Sequence, residues 1–248
     1  MNAMHPLSSQ DIVSIWEVGL RQHPLDRALT ILHAVYPDVG LQDLAALSIG
    51  QRDWHLIALY ERLFGRNFSG LLHCPACGEP LEFTVDSDQI RVMHDPDEAD
   101  GVLEMALDGY DLRFRPANSY DLAAILHCAD VQAAQQKLFG RCLLQVSQGG
   151  MEVSPEVLPE HAVTAVDEAL AARDAQADIR FDLVCPDCQH AWQAAFEVLT
   201  FLWAQISAAA QHLLYDVHIL AQAYGWSERD ILALSESRRR WYLEMANA

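Results

Sequence analysis

The sequence predicts an α+β protein. It is mostly helical, with a discontinuous four-cysteine ribbon of short β-hairpins that brings together helical modules at the two ends of the chain. Three observations carry this. Two Cys-x-x-Cys pairs, Cys74-Pro75-Ala76-Cys77 and Cys185-Pro186-Asp187-Cys188, lie far apart in the chain. Each is flanked by residues that alternate apolar and polar, the period of a strand. Before the first pair and after the second, apolar residues recur at steps of three and four, the period of a helix.

Residues 8–64 read as helices in succession. Ser8 or Ser9 caps the first, which carries Ile12, Ile15, Trp16 and Leu20 on one face. Pro24 suits the first turn of a second, with Leu25, Leu29, Leu32 and Tyr36 together and Pro37 as the stop. A short helix holds Leu41, Leu44 and Leu47, and another runs from about Gln51 to Phe64, ended by Gly65. Leu71-Leu72-His73 then leads into the first cysteine pair, and Leu81 to Val85 leaves it with period two. Met105 to Phe114 reads as a hairpin turning at Asp108-Gly109. Asn118 or Ser119 caps a helix to about Ala129, and a further helix covers Asp130 to Phe139. Arg141 to Val146 fits a strand or a helix end equally. Glu160 to Arg173 is Ala-rich and helical. Ile179 to Leu183 alternates into the second pair, and Trp192, Ala194 and Phe196 alternate out of it. A long helix from Leu199 to Tyr224 follows, stopped by Gly225, then a short helix capped by Ser227 and a last one over Arg238 to Met245. The organisation is thus a helical module 1–70, a first knuckle 71–86, an inserted hairpin and helices 87–178, a second knuckle 179–197 and a helical module 198–248. Together they read as one integrated domain.

Cysteines at this spacing supply half of a tetrahedral zinc site, and neither half suffices alone. Cys74, Cys77, Cys185 and Cys188 are therefore assigned to one structural zinc ion. Gly78 permits the left-handed turn that closes the first knuckle. Gln189 stands at the equivalent place in the second, which predicts a strained or slightly open turn there. His73 and His190 neighbour the pairs and read as bystanders. Four thiolates leave no position for a reacting water, so the zinc is expected to be non-catalytic. Cys128 and Cys142 sit in apolar surroundings and read as small buried hydrophobes.

The chain has 16 Lys and Arg against 35 Asp and Glu, a formal net charge of -19. Phosphate neutralisation needs cationic side chains, so the balance argues against nucleic acid and against anionic membrane surfaces. The most apolar stretch, Val198 to Ala223, carries Gln205, Gln211, His212, Asp216 and His218, which a lipid-spanning helix would not. Met1 to Gln10 has no leader-like pattern. The expectation is a soluble cytoplasmic protein. Phosphate-binding and dinucleotide-binding glycine loops, a nucleophile elbow and His-Glu-x-x-His are absent from the sequence, and the protein is expected not to be an enzyme. Asp95 to Gly101 resembles a calcium loop but lacks ligands at Ala99 and Ala106, and reads as a solvated acidic loop.

Two further features point to packing and interaction. Asp43, Ala46, Leu47, Ser48, Arg52, Trp54 and Leu56 recur in register as Asp230, Ala233, Leu234, Ser235, Arg239, Trp241 and Leu243. Arg238, Arg239, Arg240, Trp241 and Tyr242 set a basic run beside two large aromatics, residue types that dominate interface hot spots. Two readings of that run stand side by side. It is a partner surface, or its arginines pair with the protein's own acids and Trp241 enters the core.

Three stretches together carry a resemblance. One is the helical module ending Leu63-Phe64-Gly65 before Cys-Pro-x-Cys-Gly. Another is the strand into the second Cys-Pro-x-Cys. The third is the tail with Tyr224-Gly225-Trp226, Asp230-Ile231-Leu232, Arg238-Arg239 and Tyr242-Leu243. With these the chain resembles the baseplate hub assembly chaperone family of T-even-type phages and phage-tail-like contractile injection systems. The resemblance implies a non-enzymatic chaperone or adaptor whose partners are baseplate, hub or other tail proteins. A permanent structural baseplate component is the alternative. A zinc-dependent enzyme or a nucleic-acid-binding zinc ribbon is the second.

Overall fold

The structure is a computed structural model and describes residues 3–92 and 101–246. The acidic residues Asp95, Asp97, Glu98 and Asp100 of the calcium-like stretch lie outside the described residues. The chain forms two compact units, one of residues 1–40 with 199–248 and one of residues 41–198.

The first unit opens with α1 (Ser9–Gly19) and α2 (Pro24–Val35). Ser8 caps α1 through a reciprocal box: its hydroxyl accepts from the Asp11 N–H, and Asp11 accepts from the Ser8 N–H. Pro24 sits in the first turn of α2, where its missing N–H costs nothing.

The second unit begins with α3 (Leu41–Ala46) and α4 (Ile49–Phe64), then β1 (Asn67–His73), β2 (Pro80–Asp86) and the short α5 (Ser87–Ile90). A four-stranded antiparallel sheet of order β3-β4-β5-β6 follows, from Leu103–Leu107, Tyr110–Phe114, Leu143–Gln148 and Met151–Glu152. Between its second and third strands lie α6 (Ser119–Ile125) and α7 (Val131–Cys142). After the sheet come α8 (Glu160–Arg173) and the hairpin β7 (Arg180–Val184) with β8 (Ala191–Ala195). One face of the sheet packs Leu112, Phe114, Leu143 and Val146 against Ala162 and Val166 of α8.

Two boundaries differ from those expected. α6 stops at Ile125 rather than near Ala129, because Asp130 leaves the helix to cap α7, accepting from the Ala133 N–H at 2.8 Å. The undecided stretch 141–146 is both structures in turn: helix to Cys142, strand from Leu143.

The chain completes the first unit with α9 (Val198–Tyr224), α10 (Glu228–Leu232) and α11 (Glu236–Ala246). Trp203 on α9 lies against Gly19, with the Arg27 guanidinium 4.5 Å over its ring. Arg27 also donates to the Gly19 carbonyl at 2.7 Å. Buried Asp216 accepts from Arg239 at 3.0 Å, and Arg239 donates on to Ser9 at 3.2 Å. The two ends of the sequence are thus joined by their own polar contacts.

The sequence echo has a local structural counterpart in each unit. α3 and α10 are each followed by a serine, Ser48 or Ser235, that caps the next helix. The arginine four residues on, Arg52 or Arg239, is buried in an ion pair with an aspartate. The two units thus contain the same helix–serine–helix element with the same buried arginine.

Candidate metal centre

Each hairpin of the second unit turns through one cysteine pair. β1 and β2 pair antiparallel with Leu72 opposite Leu81 and His73 opposite Pro80. β7 and β8 pair from Arg180 opposite Ala195 to Val184 opposite Ala191. The turns are built alike. The Cys74 N–H donates to Glu79 and the Gly78 N–H to the Cys74 carbonyl, both at 2.9 Å. In the second knuckle the Cys185 N–H donates to His190 at 2.9 Å and the Gln189 N–H to the Cys185 carbonyl at 3.0 Å. Gly78 has φ 79° and Gln189 φ 59°. Gln189 therefore takes the left-handed conformation despite its side chain, whose amide donates to the Pro186 carbonyl at 3.1 Å. The second knuckle is closed by the same hydrogen bonds as the first, and the strain sits in one backbone torsion.

An aromatic ladder joins the hairpins behind the turns. Tyr60 stacks on Phe68 at 3.9 Å, Phe68 meets Phe196 edge-on at 5.2 Å, and Phe196 meets Phe181 at 5.6 Å. Phe83 of β2 completes it against Phe181 of β7. Such pairs add to plain apolar burial and fix orientation.

The result is convergence of Cys74, Cys77, Cys185 and Cys188, whose sulfur atoms all lie within 4.8 Å of one another. Cys74 Sγ is 3.6 Å from Cys188 Sγ, and Cys77 Sγ is 3.6 Å from Cys185 Sγ. A tetrahedral ion with metal–sulfur bonds of about 2.3 Å requires sulfur–sulfur edges of about 3.8 Å. The donor set and its spacing fit a metal ion. Cys74 and Cys185 are buried, Cys77 and Cys188 exposed, so one rim of the site meets solvent.

The thiols also influence one another. Desolvation pushes Cys74 up, but N–H groups of Cys77 and Ala76 and the neighbouring thiols outweigh it and bring it down to about 7. For Cys77 the Glu79 N–H favours the thiolate. Desolvation and three adjacent sulfurs oppose it and push it up to about 12. Cys188 is also raised: the His190 N–H is outweighed by desolvation and by Cys74 and Cys185. Without a cation, ionising one thiol suppresses ionisation of its neighbours. A bound divalent ion removes that conflict, so binding must release protons.

His73 and His190 are outside the four-ligand cluster, and the His190 ring stacks on Trp192 instead. Cys142 is buried and its thiol pushed up to about 11 by desolvation, the signature of an unreactive core cysteine. Cys128 is half-buried.

The basic-aromatic run splits by residue. Arg239 is 6% exposed and committed to Asp216, and Arg240 pairs with Glu236 along its own helix. Trp241 is 67% exposed. Arg238 is also exposed on α11. Tyr242 is half-buried and packs edge-on against Trp226 at 4.8 Å. Among the described residues, Arg238 and Trp241 are thus the exposed members of the run without an ion pair along their own helix, and Met245 is exposed beside them. Sequence reasoning did not pair Arg239 with Asp216; the available signal was Asp216 as the single Asp, Glu, Lys or Arg in the apolar stretch Val198–Tyr224.

Among the described residues no helix is long and apolar enough to cross a membrane. A family model described as T4 bacteriophage base plate protein matches residues 28–203. No curated protein and no solved structure matches the chain.

Proposed function

The chain belongs to the T4 bacteriophage base plate protein family, and on that premise we propose that it is a non-enzymatic assembly chaperone or adaptor. It would serve the baseplate or hub of a contractile injection system, with zinc as a structural ion. The family match supports the baseplate association on which this reading rests. Its partners are then baseplate, hub or other tail proteins. Four sulfur donors within 4.8 Å favour zinc over harder ions and fill its tetrahedral shell. The ion's contribution is to tie two hairpins whose cysteines are 108 and 114 residues apart. Arg238 and Trp241 on α11 are the proposed partner surface in the first unit.

Mass spectrometry of purified particles, beside pull-down from the producing cells, tests the reading. A chaperone is captured with a baseplate or hub protein during assembly and is missing from finished particles. Stoichiometric presence in the particle would make it a permanent component instead. Capture of no tail protein would overturn the assembly role altogether.

A further inference from the structure

A cleft of about 1510 Å³ opens in the second unit among α7, α8 and the turn at 154–156. Sites for small ligands hold roughly 300–1,000 Å³, so this one is oversized for them. Ten residues of α-helix, a cylinder about 15 Å long and 10–12 Å wide, occupy roughly 1,200–1,700 Å³. The cleft has the volume of two to three helical turns.

Its floor is apolar, formed by Leu122, Leu138, Phe139, Leu158 and Leu170. All but Leu158 are only half-buried, so apolar surface is left for an occupant to cover. Its charged lining has one sign: Glu156, Asp167, Asp174 and Asp178 contribute, and no Lys, Arg or His does. Asp174 is committed to Ser48 and the Gly50 N–H, and Asp178 to Arg180. Among the described residues Glu156 and Asp167 have no cationic partner. Desolvation lifts the Asp167 carboxyl above the usual carboxylate range, an effect that an arriving cation reverses.

We propose that this cleft receives a basic amphipathic helix of a partner protein. Apolar side chains of that helix cover the leucine and phenylalanine floor, and its Lys or Arg residues meet Glu156 and Asp167. This is the helix-in-groove mode, with charge setting orientation and partner choice. The inference gives a partner chemistry to the assembly role and rests on that role only for where such a partner comes from.

The test uses the full chain and a labelled amphipathic Leu/Lys helical peptide at moderate salt, read by fluorescence anisotropy. A photoreactive group on the apolar face of the peptide reports location. The cleft variant is Glu156→Lys with Asp167→Lys. The charge-matched variant is Glu17→Lys with Asp38→Lys, both exposed sites in the first unit and off α11. Expected are cross-links to α7 or α8 and at least tenfold weaker binding by the cleft variant, with at most a twofold change in the charge-matched one. No binding to the unmodified chain overturns the proposal. So does equal loss in both variants, equal binding of a Leu/Glu peptide, or cross-links elsewhere. Self-association that vanishes in the cleft variant would assign the cleft to a second copy and also overturn it. Each outcome is independent of particle composition, so the failure of this inference and that of the assembly role are distinguishable.

Discussion

At Gly50 the absence of a side chain is a packing requirement. A Cβ there would overlap the Asp174 carboxylate, which accepts from Ser48 Oγ at 2.8 Å and the Gly50 N–H at 3.0 Å. Asp174 thereby caps α4 from 124 residues away. Gly50→Ala is expected to displace this cap and cost about 1–2 kcal/mol in urea unfolding, the range for loss of a good cap. Asp121 shows the same economy with charge. It is fully buried, caps α6 with Asn118, and takes Arg115 at 2.6 Å and Arg141 at 2.8 Å. Desolvation pushes its carboxyl up, but the hydrogen bonds from Arg115, Asn118 and Arg141 and the positive charge of Arg115 outweigh this and hold it below the usual range. A depressed folded value means that the stabilisation is complete above about pH 4, the unfolded range, and is lost as pH falls through the folded value. Unfolding followed from pH 7 downwards should show that loss below about pH 4. Asp121→Asn should lower stability by about 3 kcal/mol at neutral pH and flatten the acid limb. Neither role was read from the sequence: Gly50 meets Asp174 from 124 residues away, and the fold brings Arg141 to an Asp121 whose nearer partners are local.

At the scale of elements, periodicity was a good guide and chain ends were not. The two hairpins, the turn at Asp108-Gly109 and the span of α8 follow from alternation, turn residues and alanine content. α6 was overextended because its apolar pattern continues after Ile125, while the cap at Asp130 claims the backbone for the next helix. The echo between α3–α4 and α10–α11 was visible as spaced identities, and it conveys which arginine is structural. Among the described residues, Arg239→Met leaves Asp216 with exposed His212 alone as an ion-pair partner, charged only when the imidazole is protonated. Thermal unfolding should show the first unit destabilised by about 3 kcal/mol, the cost of breaking a buried pair. Trp241→Ala should leave stability within about 0.5 kcal/mol, since the ring is exposed. It should weaken capture of the assembly partner if α11 is the docking face. A large stability loss in Trp241→Ala would instead make that residue structural. The echoed Trp54 shows the contrast, for its ring is covered by the Arg91 guanidinium at 4.7 Å.

For the molecule as a whole, the cysteines close a loop of more than a hundred residues. Holding such a loop shut has an entropic cost that grows only slowly with its length. The four-cysteine assignment was legible because spacing and strand-like flanks repeat on both sides. The aromatic ladder that carries the hairpins was not, since Tyr60, Phe68, Phe83, Phe181 and Phe196 are scattered in sequence. Net charge of -19 argued against nucleic acid and anionic membranes, and the cleft with its single-sign lining is one place where acidic residues gather. The terminal helices α1, α2 and α9 to α11 form a unit with its own ties, while the clasp belongs to the unit 41–198. The central claim is that the clasp is a closed, structural zinc site that shapes binding surfaces rather than chemistry. X-ray absorption at the metal edge of the purified chain tests it most directly. The account predicts one zinc per chain with four sulfur neighbours at about 2.3 Å and no oxygen or nitrogen. A shell containing water or histidine, or a chain that folds with no metal bound, would contradict it.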